Sequence, residues 1–180
     1  MTARTLKRGF TLVELLVVIA IIGVLAVVVL VAINPVQQLA RTRDAGRKSA
    51  ITQAGHAMEA YATTKNGVYV PESTTWADLL VSAGELSIVP SIIAYSVTGT
   101  DTFDCTNEYS TRNWCYDATT GAGGSPVIVY TRMESQAEQS KCTGTQVPFF
   151  VWSTADGRGG VVCRADGATE PVVGTQTFVD

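Results

Sequence analysis

Charged side chains are scarce in this sequence: of 180 residues, 13 are basic and 16 acidic. There is a single histidine, His56, and no pair of cysteines sits at CxxC spacing. That leaves too few soft or nitrogen ligands at metal-site spacing for a zinc centre. No GxSxG, HExxH, P-loop or dinucleotide fingerprint occurs, so the common hydrolase, metalloprotease and nucleotide-binding chemistries have no foothold. His56 lacks a nearby Ser or Cys nucleophile motif and reads as a structural residue. The reading is of a protein that is not an enzyme and carries no cofactor. No proline precedes Pro35, and between Leu15 and Ile33 there is no charge at all.

That uncharged stretch accounts for the positive mean hydropathy of +0.20. It is 19 residues long, and 15 of them are Leu, Ile or Val. As a helix it spans roughly 28 Å, close to the hydrocarbon thickness of a bilayer. Eleven of the 19 are β-branched, a composition that favours strands in water. In lipid only a helix satisfies its own backbone, so the segment is expected to be helical there. Gly23 is its weak point, where the backbone can stretch or unwind.

Charge also divides the chain. Residues 1–50 carry a net +5 and residues 51–180 a net −8. Arg4, Lys7 and Arg8 precede the apolar run and should hold the N-terminus in the cytoplasm, sending the rest outward. An acidic outer region argues against direct nucleic-acid binding, which needs clustered Lys and Arg. Cys105, Cys115, Cys142 and Cys163 all fall on the exported side, where an even number reads as two disulfides. Three pairings are open. Short loops close most easily, which favours Cys105–Cys115 with Cys142–Cys163, each contributing roughly 3 kcal/mol.

The order of residues around the apolar run is specific. Lys7, Arg8, Gly9, Phe10, Thr11, Leu12, Val13 and Glu14 lead directly into it, as KRGFTLVELLVVIAIIGVLA. This segment resembles the N-terminus of the type IV pilin and pseudopilin family over about 30 residues. The resemblance implies a basic leader cut by a prepilin peptidase between Gly9 and Phe10, with N-methylation of the new terminal Phe10. Glu14 would then be the fifth residue of the mature chain, where the family has its glutamate. A carboxylate in a spanning helix costs up to about 3 kcal/mol, which Leu, Ile and Val at roughly −0.3 to −0.6 each outweigh. It still seeks a cation, and a neighbouring subunit's Phe10 amine would supply one. Many members carry a proline near the position of Val31; here the first is Pro35. Asn34–Pro35 reads as an N-cap followed by a first-turn proline, restarting the helix after a bend.

Beyond Pro35, Ile51, Ala54, Met58 and Tyr61 form one helical stripe, ended by Asn66–Gly67. An unbroken helix from Phe10 to Thr64 would be about 80 Å long. Thr75 and Asp78 signal a cap for a short helix from Trp76 to about Ala83, stopped by Gly84. β-Type runs follow at Ile92–Val97, Asn113–Ala118, Val127–Arg132, Phe149–Thr154 and Val161–Arg164. Asp156–Gly157 with Gly159–Gly160 marks a hairpin, the segment 121–126 a loop, and Met133–Ser140 a short helix or polar loop. Asp101, Asp104, Asp156 and Asp166 are the carboxylates a calcium ion would use in turns; no metal is assigned to them.

The expected fold is therefore α+β: a long N-terminal hydrophobic helix on an antiparallel sheet, with a disulfide-bounded C-terminal region, as the resemblance implies. The expected organisation is a leader at 1–9, a membrane and filament-core helix at 10–34, an amphipathic continuation at 35–66 and a head at 67–180. The resemblance implies a structural subunit that waits in the cytoplasmic membrane and polymerises with its own copies into a surface filament for adhesion, twitching motility or DNA uptake. The peptidase and the pilus assembly machinery would be its other partners. Two alternatives stand beside this: a pseudopilin of a secretion or competence system, and a membrane-anchored extracellular binding protein or enzyme.

Overall fold

The computed structural model describes residues 9–95, 105, 109–111, 114–119, 126–165 and 170–179. The chain divides into two compact units, Met1–Gln38 and Leu39–Asp180.

In the first unit, helix α1 runs from Leu12 to Ile33, and none of its residues is buried. It is long and apolar enough to cross a membrane. Gly23 lies within this unbroken helix, facing open space. The helix does not continue straight through to Thr64. Asn34 adopts a left-handed backbone, φ 45° and ψ 77°, and a second helix, α2 (Pro35–Thr64), begins at the next residue. The cause is local. Proline disfavours the right-handed helical conformation in the residue before it, and asparagine tolerates the left-handed one. The Asn34 carbonyl then accepts from the Gln37 and Gln38 amides, and its side-chain oxygen accepts from Gln37 at 3.4 Å. Asn34 thus closes one helix and opens the next.

In the second unit, α2 buries Ile51, Ala54, Ala57 and Met58, while Tyr61 packs at the margin of the core. α2 ends in Asn66 and Gly67, both at positive φ, with the Gly67 amide returning to the Ala62 carbonyl at 2.8 Å. Helix α3 spans Trp76–Ser82 and stops before Gly84, whose φ is 81°. Thr75 occupies its N-cap but makes no side-chain capping bond, contrary to the sequence signal. Its φ of −113° and ψ of 17° depart from the extended backbone a capping box requires.

Among the described residues five antiparallel strands follow in meander order: β1 (Tyr109–Thr111), β2 (Trp114–Ala118), β3 (Val127–Arg132), β4 (Gln146–Ser153) and β5 (Arg158–Ala165). A one-turn helix, α4 (Gln136–Gln139), lies between β3 and β4. The expected strand from Ile92 is not formed. Residues 92–95 lie outside any strand, and the carbonyls of Ile93 and Ala94 are taken by the Arg47 guanidinium instead of a ladder. Positions 96 and 97, and the loop glycines at 121–124, lie outside the described residues.

Among the described residues, both faces of the central strands β2, β3 and β4 are largely buried. Side-chain alternation sends Trp114, Tyr116, Val127, Val129 and Trp152 into one cluster with α2 and α3. It sends Cys115, Ile128, Tyr130, Phe149, Val151 and Val162 into another, beneath Val173 and Phe178 of the C-terminal segment. That segment is pinned along its length. The Val173 amide donates to Asp117 at 2.9 Å, the Gln176 amide to Asp156 at 2.9 Å, and the Val179 amide to the Val161 carbonyl at 2.8 Å. Gly159 and Gly160 are strand residues, not turn residues. A side chain at Gly159 would meet Phe150 and Trp152, and one at Gly160 would meet Phe178, so the hairpin turn is left to 154–157 with Gly157 at φ 63°.

Candidate functional site

The start of α1 is shaped by three residues. Thr11 is the N-cap, with an extended backbone, and Glu14 stands three residues into the helix. The Glu14 amide donates to Thr11 Oγ1 at 3.2 Å, while Glu14 Oε2 accepts from the Thr11 amide at 2.9 Å and from its hydroxyl at 2.8 Å. This is a reciprocal capping box, which satisfies amides that the first helical turn leaves free. It also answers what a carboxylate does at the end of an apolar rod: it accepts hydrogen bonds from its own chain and faces the positive end of the helix dipole. Phe10, immediately before it, is 85 % exposed. From Leu12 onward the rod presents Leu, Val and Ile in every direction. A helix apolar all round requires lipid or other apolar helices as its surroundings.

A second polar arrangement lies in the head, where α2 meets the β3–β4 connection. Arg47 is fully buried and Asp44 is 2 % exposed. Arg47 Nη1 donates to Asp44 Oδ1 at 2.7 Å and to Glu134 Oε1 at 3.0 Å, and Nη2 donates to the carbonyls of Ile93 and Ala94 at 3.2 and 2.8 Å. The guanidinium stacks 3.9 Å above the ring of Tyr95, whose hydroxyl lies 2.7 Å from Thr131 Oγ1 on β3. Burial, the largest influence, raises the Tyr95 phenol above its ordinary range. Asp44 accepts from the amides of Glu134 and Ser135, the latter at 2.8 Å. Arg43 adds a further bond to Glu134, and Lys48 pairs with Glu138. The Asp44–Arg47 pair is nearly desolvated, so its attraction acts at low dielectric, while Arg43 and Lys48 stay partly exposed.

Arg43, Arg47 and Lys48 stand in the sequence simply as basic residues on one helix; their acceptors, Glu134 and Glu138, lie some 90 positions away. The Asp44–Arg47 spacing of three is a local pattern that suits a helical ion pair. His56 is exposed on α2 and meets Trp152 edge to face, with ring centroids 4.4 Å apart. Cys105 is bonded to Cys115 and Cys142 to Cys163. The first bond anchors residue 105 to β2; the second joins the chain entering β4 to β5. Of the carboxylates considered for calcium, Asp101, Asp104 and Asp166 lie outside the described residues, and Asp156 accepts from the Gln176 amide. Among the described residues no three potential ligands gather as a metal site.

Residues 4–30 match the prokaryotic N-terminal methylation motif. Among curated proteins, the type IV major pilin protein PilE1 of Neisseria gonorrhoeae is 41 % identical over 76 residues, covering 38 % of this chain and 46 % of that protein. The type IV major pilin protein PilE of Neisseria gonorrhoeae and a fimbrial protein of Neisseria meningitidis serogroup B are each 46 % identical over 54 residues, covering 27 % of this chain and 32 % of theirs. The chain therefore spans less than half the length of these relatives. No solved structure matches it significantly.

Proposed function

Starting from a type IV pilin-family protein, which the methylation motif and the major-pilin relatives support, we propose that this chain is a structural pilin subunit. In this reading it is held in the cytoplasmic membrane by α1, cut between Gly9 and Phe10 by a prepilin peptidase, methylated on Phe10, and polymerised into a surface filament by the pilus assembly machinery. The observation that carries the reading is α1 itself: an exposed rod, apolar all round, with one carboxylate at its start.

The chemistry follows from that carboxylate. In the uncut chain Glu14 accepts from Thr11. Cleavage before Phe10 creates an ammonium group in an apolar setting, where a cation and a carboxylate each lower the other's desolvation cost. A neighbouring subunit's Phe10 amine meeting Glu14 neutralises both and fixes the axial step between copies. Trading lipid for the α1 helices of other copies keeps the rod in an apolar environment throughout. Gly23 and the Asn34–Pro35 junction are where this stem can unwind or pivot as it leaves the bilayer. The acidic, disulfide-bonded head is the part displayed outside.

The mature N-terminus tests the reading. Mass spectrometry of sheared surface material should find a chain that begins with N-methylated Phe10. An intact leader, or a cut near Asn34, would reject it. Abundant filaments made of this chain support a displayed pilus; low copy number with lost secretion or competence would assign it to a pseudopilus instead.

A further inference from the structure

A filament subunit passes tension from its stem to its head, and in this chain the head begins at Leu39. The first turns of α2 beyond that point carry Arg43, Asp44, Arg47 and Lys48, tied to two segments, the β3–β4 connection and residues 93–94. Arg43, Asp44 and Arg47 hold Glu134 and the Ser135 amide, Lys48 holds Glu138 in α4, and Arg47 holds the carbonyls of Ile93 and Ala94. Through Tyr95 the same guanidinium bears on Thr131 of β3. Further along, α2 meets the sheet through Ile51, Ala54, Ala57 and Met58. Such apolar contacts are non-directional, and small side chains slide past one another readily. Charge-assisted hydrogen bonds are directional and lose most of their energy within a short displacement. The directional bonds therefore stand at the end of α2 where load arrives.

We propose that the Arg43–Asp44–Arg47–Glu134 cluster, buried at Asp44 and Arg47, is a mechanical clamp that transfers tension from α2 to the sheet. This rests on the filament reading for its purpose, but not for its measurement. A pull along α2 shears several of these bonds together, since they share the Arg47 and Asp44 side chains, so separation needs their concerted rupture. Burying the Asp44–Arg47 pair carries a desolvation cost, and this role gives a reason for it.

The test is forced separation of single full-length chains in detergent, with one handle on the N-terminal tag and the other on an azide-bearing side chain replacing exposed Thr145, next to β4. Forced unfolding follows the unfolding barrier, not equilibrium stability. Asp44→Asn, Arg47→Met and the milder Arg43→Gln should lose the high-force first rupture. Val151→Ala, in the opposite face of the sheet, should lower Tm at least as much as Arg43→Gln and retain that rupture. If rupture force simply tracks Tm across all four variants, the clamp is refuted. If Arg47→Met fails to fold, Arg43→Gln and Asp44→Asn decide the matter. The assay needs no polymer, so a chain that clamps but does not assemble would refute the filament reading alone.

Discussion

Gly55 of α2 faces the indole of Trp152 with no room for a methyl group between them. Trp152 is also where His56 packs edge-on, so one helix turn is seated on one aromatic side chain of β4. Any Cβ at position 55 would overlap ring atoms that are themselves fixed in the core. Gly55→Ala should therefore cost about 1–3 kcal/mol through overpacking, despite alanine's better helix propensity. Thermal unfolding of the variant should show Tm lower by several degrees. An unchanged or raised Tm would mean that α2 stands off the sheet.

Tyr116 supplies a pH signature. Its hydroxyl donates to the Val70 carbonyl from a buried position. Burial, followed by the nearby Glu72 and Asp117 carboxylates, pushes the phenol well above its ordinary range. The sign follows from linkage: the folded chain keeps this proton where the unfolded chain releases it. The stabilisation is complete below about pH 10 and declines as pH rises from there towards the folded-state value. Tm should fall between pH 9 and pH 11, and Tyr116→Phe should flatten that fall while costing about 1–3 kcal/mol at neutral pH for the orphaned carbonyl.

Separate removal of the two disulfides should rank them. Cys142–Cys163 closes a separation of 21 residues and Cys105–Cys115 one of 10. Chain entropy gives about 3 kcal/mol for each, with the longer loop ahead by roughly half a kcal/mol. Paired Cys→Ser variants, compared by chemical unfolding, should show both losses and that order.

Capping and subunit pairing by Glu14 can be pulled apart. Thr11→Val removes the cap hydroxyl at a cost of about 0.5–2 kcal/mol in helix stability, but leaves the carboxylate available to a neighbour's amine. Glu14→Leu removes both. Both variants should stay in the membrane fraction, because the apolar run dominates insertion. Only Glu14→Leu should vanish from sheared filaments; equal incorporation of the two would exclude the pairing role.

Much of this architecture is legible from local chemistry. The apolar rod announces α1, Gly84 stops α3, and the β-branched run Val127–Arg132 coincides with β3. Errors arise where a distant partner overrides the local pattern. Pro148 suggests that β4 begins at Phe149, yet the strand starts at Gln146, since Pro148 pairs with Cys163 through its backbone position and gives its carbonyl to Met133. Gly159 and Gly160 read as turn residues because glycine usually marks one, whereas here aromatic rings crossing the strand demand it. β1 is only three residues long, too short for any period to emerge. The head cluster is the least legible element, because no spacing links Arg47 to Glu134. The rod's Glu14 stood out for the opposite reason: one acid against an unbroken apolar background is visible without any structure.

The C-terminal segment lies over the sheet's second face and turns both sides of the β-meander into interior. Cys115, Ile128, Tyr130, Phe149, Val151 and Val162 are thus roofed by their own chain. The exposed flank of α2 can then vary in shape and chemistry while the scaffold beneath it stays unaltered.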